Sequence, residues 1–311
     1  MFIEQAYKGN NKWWRVVLTI ALSTGIFIAN IIAFYLLPQE TIDKSEKMMK
    51  SFSNNFALAI NLLPFLLLLG FLFFLVYFLH NRSILSLTTS RSKIDFKRLF
   101  FSFGLIVFLT LFGFVISYYS DNSNIVWNFH PMKFATLFIL SILLFPSQIG
   151  LEEYLFRGYL MQQIGIAAKN RWTPLLITSV FFGLLHSANP EVAAMGFGVM
   201  TFYIGTGFLL GIMTLMDEGM ELSLGFHLGN NLMAAILVTS DFSALQTDAM
   251  FKYSGKENTA DTLNEMIISM LIIYPLILFI LAKKYKWTNW KEKLTGKVSK
   301  PDANLIIENH E

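Results

Sequence analysis

Residues 134–163 read FATLFILSILLFPSQIGLEEYLFRGYLMQQ, and this stretch decides the fold. It is long enough to cross a bilayer, whose hydrocarbon core takes about 20 helical residues. Its only ionisable groups are Glu152, Glu153 and Arg157. Charges at membrane depth are expensive and as a rule functional. Pro146 removes one backbone donor, so a kink is expected there.

Outward from this stretch the pattern repeats. The chain of 311 residues is 54% hydrophobic and only 14% charged, with a mean hydropathy of +0.52. Soluble domains carry about 25% charged residues. Apolar runs fall at about 14–37, 56–80, 99–118, 134–163, 172–186, 220–239 and 263–282. One more run is rich in glycine (Gly196, Gly198, Gly205, Gly207, Gly211), which suits close helix approach. The fold predicted is an all-α, polytopic transmembrane bundle of about eight spans. The segments between them, including 40–50, read as polar loops. The first run is too long for a signal-peptide core and lacks a small-x-small cleavage site, so it is read as a span.

Basic residues gather in four places: the N-terminus (Lys8, Lys12, Arg15), the 81–98 loop, the turn at Lys169 and Arg171, and a tail with seven lysines from Lys283 to Lys300. With eight spans all four lie on one side. The positive-inside rule then puts both termini in the cytoplasm, and a plasma membrane is expected. A net charge of +3 gives no reason to expect a nucleic-acid partner. Cysteine is absent, which excludes disulfides, thiolate metal sites and a thiol nucleophile.

All eight aspartates fall in loops or the tail. The ionisable groups within spans are Glu152, Glu153, Arg157, His186 and His227, joined by the amides Asn230 and Asn231. Glu153 and Arg157 are four apart and share a helix face, so they read as a structural ion pair. Glu152 points about 100° away, is left without that partner, and is the candidate general base. Phe182 lies one turn before His186, and His227 and Asn231 are again four apart. At about 1.5 Å per residue from the predicted cytoplasmic ends, Glu152 is ~16 Å deep, His186 ~21 Å, His227 ~10 Å and Asn231 ~16 Å. Three helices thus bring polar groups into one band.

These groups suit peptide hydrolysis. Glu152 with His186 would hold and deprotonate a water, while His227 and Asn231 would donate to the oxyanion. A zinc site on Glu152, His186 and His227 uses the same atoms. No HExxH, intramembrane Asp pair or Gly-x-Ser-Gly is present. Each group also has a structural reading: a lone histidine or asparagine can bridge helices. Two further functions use the same residues. One is a non-catalytic scaffold or immunity protein that binds a partner in the cavity; the other is a coupled transporter, which inverted repeats would favour and this chain lacks.

Three motifs stand in order: EExxxR at Glu152–Arg157, FxxxH at Phe182–His186 and HxxxN at His227–Asn231. With them the chain resembles the CPBP intramembrane proteases, the CAAX protease and bacteriocin-processing (Abi) family that includes type II CAAX prenyl endopeptidases. The resemblance implies an eight-helix glutamic endopeptidase that needs no metal, although the family is often labelled a metalloprotease. It implies catalytic Glu152, His186, His227 and Asn231, supported by Glu153, Arg157 and Phe182. The substrate would be a peptide or protein at the bilayer, lipidated or not. The organisation expected is three N-terminal spans (1–133), a protease core (134–240), and a last span with a basic tail (241–311).

Overall fold

A computed structural model describes residues 1–254 and 259–301. His310 and Glu311, at the end of the tail, lie outside the described residues. A short 3-10 turn at Ile3–Lys8 leads into α1 (Trp13–Leu36), α2 (Gln39–Lys50) and α3 (Asn54–Phe74). Then come α4 (Ile84–Thr88), α5 (Phe96–Ser120), β1 (Ile125–Trp127), α6 (Pro131–Glu153), α7 (Met161–Ala168) and α8 (Trp172–Leu184). The chain continues through α9 (Pro190–Met195), α10 (Met200–Asp217), α11 (Glu221–Ile236), β2 (Val238–Thr239), β3 (Phe251–Tyr253), α12 (Thr259–Tyr285) and α13 (Trp290–Thr295).

Among the described residues, six helical stretches are long and apolar enough to cross a membrane: Trp13–Leu36, Asn54–Leu79, Phe96–Ser120, Pro131–Ala168, Phe197–Asp217 and Thr262–Tyr285. The other two expected spans are α8 and α11. They have 13 and 16 residues, or roughly 20 and 24 Å at 1.5 Å per residue. Both fall short of a hydrocarbon core of about 30 Å. Both begin at the basic end of the bundle; α8 stops at Leu184, and α11 runs through Leu237 into β2.

One local expectation changes. Segment 39–50 is a polar helix, α2, not a loop. The stretch that decides the fold holds Pro146 within α6, and helical residues continue into α7. A departure from regular α geometry comes at Tyr154–Leu160, which is π-helical and carries Arg157. Such widened turns are rare and often mark functional sites.

The basic segments meet physically. Glu218 accepts from the Phe2 backbone N–H and pairs with Lys293 and Arg171. Arg91 bridges Asp217 at 2.9 Å and Glu221 at 3.1 Å, and the Trp287 indole donates to Asp217. N-terminus, 81–98 loop, 169–171 turn and tail therefore share one face, tied together by the acidic 217–221 turn. At the opposite face lies a three-stranded sheet in the order β1-β3-β2, with β3 antiparallel to β1 and parallel to β2.

Between these faces α11 packs along α5, and α10 along α8. Both contacts depend on glycine. A Cβ on Gly225 would meet the Leu99 carbonyl oxygen at 2.0 Å, and one on Gly207 would meet that of Ser179 at 2.6 Å. Backbones this close leave no room for a side chain. The main core, including Leu151, Leu155, Phe156, Leu209, Leu210 and Met213, fills the space among these helices.

Candidate active site

The site is built on the end of α6. Glu153 and Arg157 are both fully buried. Arg157 donates through Nη1 to Glu153 Oε1 at 2.9 Å and through Nη2 to the Gly207 carbonyl at 3.2 Å. Its guanidinium lies 4.3 Å from the centre of the Phe182 ring. Burying an ion pair is tolerable only when further hydrogen bonds satisfy it, and the Gly207 carbonyl and His227 supply them. His227 Nδ1 donates to the same Glu153 oxygen at 2.9 Å.

With Nδ1 so engaged, Nε2 of His227 is the nitrogen turned to Glu152, whose Oε2 is 3.5 Å away. One imidazole thus spans both carboxylates of the EE pair. Glu152 is not left without a local partner, as the helix geometry alone had suggested. Gln148, four residues earlier, donates from Nε2 to Glu152 Oε1 at 3.1 Å. The widened helix is compatible with this: Gln148 and Glu152 precede the π stretch and keep ordinary i,i+4 spacing.

His186 lies just beyond the end of α8. Its Nδ1 donates to the Phe182 carbonyl at 2.8 Å, which leaves Nε2 as its free nitrogen. The ring stacks on Tyr203, with centroids 4.3 Å apart and planes at 20°. The Tyr203 hydroxyl accepts from Asn189 Nδ2 at 3.2 Å. On α11, Asn230 Nδ2 donates to Asn231 Oδ1 at 3.2 Å. That bond orients the Asn231 amide and leaves its Nδ2 as a donor.

Glu152, His186, His227 and Asn231 all line one cavity of about 480 Å³. Among the described residues no hydrogen bond joins Glu152 to His186; the two share the space. Glu153, Arg157 and Phe182 stand at its base, with the Phe182 ring edge-on to His227. Glu152 Oε2 and Gln148 Oε1 are buried without a hydrogen-bond partner. Buried polar oxygens ordinarily find one, so the cavity suits a polar occupant. Among the described residues no three His, Asp or Glu side chains form a group that could hold a metal ion.

Sequence reasoning missed Gln148, Tyr203 and Asn189. Gln148 left a signal, a polar residue one turn from Glu152 within an apolar run. Tyr203 left none, because its partner is brought in by the α8–α10 packing.

Residues 131–233 match the family described as "Type II CAAX prenyl endopeptidase Rce1-like", and all three motifs lie within that range. The chain is also 28% identical over 244 residues to "Uncharacterized protein YyaK" of Bacillus subtilis (strain 168), covering 75% of this chain and 80% of that protein. No solved structure matches. The chain is thus similar to a family of peptide-bond hydrolases.

Proposed function

Starting from an Rce1-like domain over residues 131–233, we propose that this protein is an intramembrane endopeptidase of the glutamic type. It hydrolyses a peptide bond in a membrane-associated protein or peptide, with or without a lipid group, and uses no metal. We place the catalytic core in residues 134–240 and the protein in the plasma membrane. The observation that carries this reading is the convergence of Glu152, His186, His227 and Asn231 on one cavity.

In the proposed mechanism Glu152 takes a proton from a water held between its carboxylate and His186 Nε2. The water oxygen bonds to the carbonyl carbon, and the carbonyl electrons move to oxygen. Asn231 Nδ2 donates to that oxyanion, and His227, as the imidazolium held by Glu153, donates to it from Nε2. The C–N bond then breaks, and the proton on Glu152 passes to the departing amine. Glu153 and Arg157 position His227. The Phe182 carbonyl and the Tyr203 ring position His186.

The test is cleavage of a membrane-peptide library by the purified protein in proteoliposomes, read by mass spectrometry. Glu152→Gln is expected to lower cleavage by about 10²–10⁴-fold, the usual contribution of a general base, while folded protein remains. A tight chelator is expected to leave the wild-type rate unchanged. Full activity in Glu152→Gln would refute the role of Glu152. Chelator loss restored by zinc would refute the metal-free mechanism.

A further inference from the structure

The cavity is lopsided. Apart from α6, whose Gln148, Leu151 and Glu152 come from its end nearer the basic face, the helices that line it do so mainly with the half remote from that face. α1 starts at that face with Trp13 and reaches the cavity only at Phe27 and Asn30. α3 runs the other way and contributes Asn61 and Phe65, from its middle. α11 contributes from His227 to Ala235, its middle and far end. α8 contributes only from Phe182 onward, and the lining passes beyond its end to Asn189 and Glu191. The last wall is Ser243–Leu245, in the segment between β2 and β3.

Toward the basic face the floor is closed. The buried Glu153–Arg157 pair lies there, backed by the packed core of Phe156, Leu209, Leu210 and Met213. The shortness of α8 is one physical cause: it ends at Leu184, and the lining follows the space beyond it to Asn189 and Glu191. α11 lines the same space with its side and leads through Leu237 into β2.

We infer that the substrate enters this site from the sheet-bearing, extracytoplasmic face. The inference about substrate rests on the endopeptidase reading; the direction of the opening does not. The substrate class is then an exported or outward-facing peptide segment whose cleaved bond reaches into the outer half of the bilayer. A tail presented from the cytoplasm meets the closed floor. Among the described residues, the charged side chains lining the cavity besides its histidines are Glu152 and Glu191, and no lysine or arginine lines it. Glu191 Oε1 accepts from the Ala244 backbone N–H, while Oε2 is buried without a hydrogen-bond partner. Such a wall favours an uncharged or basic peptide over an acidic one.

The absence of cysteine makes the test clean, since single-cysteine variants need no background changes. Ala234→Cys reports the cavity wall, Ser243→Cys its mouth and Ser299→Cys the basic tail. Each is treated in intact cells with a charged, membrane-impermeant methanethiosulfonate reagent. Ala234→Cys and Ser243→Cys are expected to react from outside, and Ser299→Cys only after permeabilisation. The reverse pattern would show that the mouth faces the cytoplasm and overturn the inference. Reaction at Ser243→Cys without reaction at Ala234→Cys would overturn the open path. Labelling needs no catalysis. Cleavage retained in Glu152→Gln would therefore sink the proposed chemistry while leaving this result intact.

Discussion

Replacing Arg157 by methionine keeps much of the side chain's volume and removes its charge. The structure sets the expected cost. The guanidinium makes a 2.9 Å bond to Glu153 and a 3.2 Å bond to the Gly207 carbonyl, and it covers the Phe182 ring. Its loss strands a carboxylate that has no solvent exposure, with His227 as its remaining partner. Hydrogen bonds to charged groups are worth about 1.5–3 kcal/mol each, and removing one member of a buried pair costs about 3–5 kcal/mol. At about 2–4 °C per kcal/mol for chains of comparable size, the melting temperature should fall on the order of 10 °C. Thermal unfolding in detergent micelles, followed by tryptophan fluorescence, reads this directly. Glu153→Gln in the same chain removes the stranded charge but keeps an oxygen for His227. The double variant Arg157→Met/Glu153→Gln should therefore be less destabilised than the sum of the singles. A shift of under about 2 °C for Arg157→Met, or strictly additive singles, would refute the structural role assigned to the pair.

Two other perturbations probe the scaffold. Gly225→Ala places a Cβ 2.0 Å from the Leu99 carbonyl, so α5 and α11 must separate and carry His227 with them. It should cost about 1–3 kcal/mol or more and lower cleavage, whereas Gly104→Ala on α5 meets nothing within 4 Å and should be neutral in both assays. Acid should loosen the basic face. Burial pushes the Glu218 carboxyl up, but its bonds to Lys293 and to the Phe2 N–H, with the charge of Arg171, outweigh that and hold it below the ordinary carboxylate range. A depressed folded value means that Glu218 stabilises fully above about pH 4.5, the ordinary value, and loses that contribution as pH falls below it. Limited proteolysis of the tail should rise below that pH, and Glu218→Gln should show the high susceptibility already at neutral pH. A wild-type tail equally protected at both pH values would contradict this.

Much of the site was legible from residue types in the wrong solvent. Glu152, Glu153, Arg157, His186, His227 and Asn231 stood out because ionisable groups and amides are rare in apolar runs, and the four-residue spacings set which of them share a helix face. The spacing could not reveal that His227 bridges both glutamates, because that contact joins α11 to α6 across 74 residues of chain. Nor could it reveal Tyr203, which reaches His186 only where α10 crosses the end of α8. The widened turn at Tyr154–Leu160 was not legible either, because no proline or other residue signals it.

The sequence by itself determined the class of the protein. Its apolar runs demand helices in a bilayer, because every backbone group there must be bonded within its own segment. Its basic segments demanded a shared face, and its few intramembrane polar residues named the site. Tertiary structure alone decided what that site is open to. Crossing and stopping short look alike in an apolar run, since hydropathy records a side chain's solvent but not the depth at which its helix ends. Only packing shows α8 and α11 lining one cavity, with the buried Glu153–Arg157 pair toward the basic face and segment 243–245 in its wall on the side of the sheet.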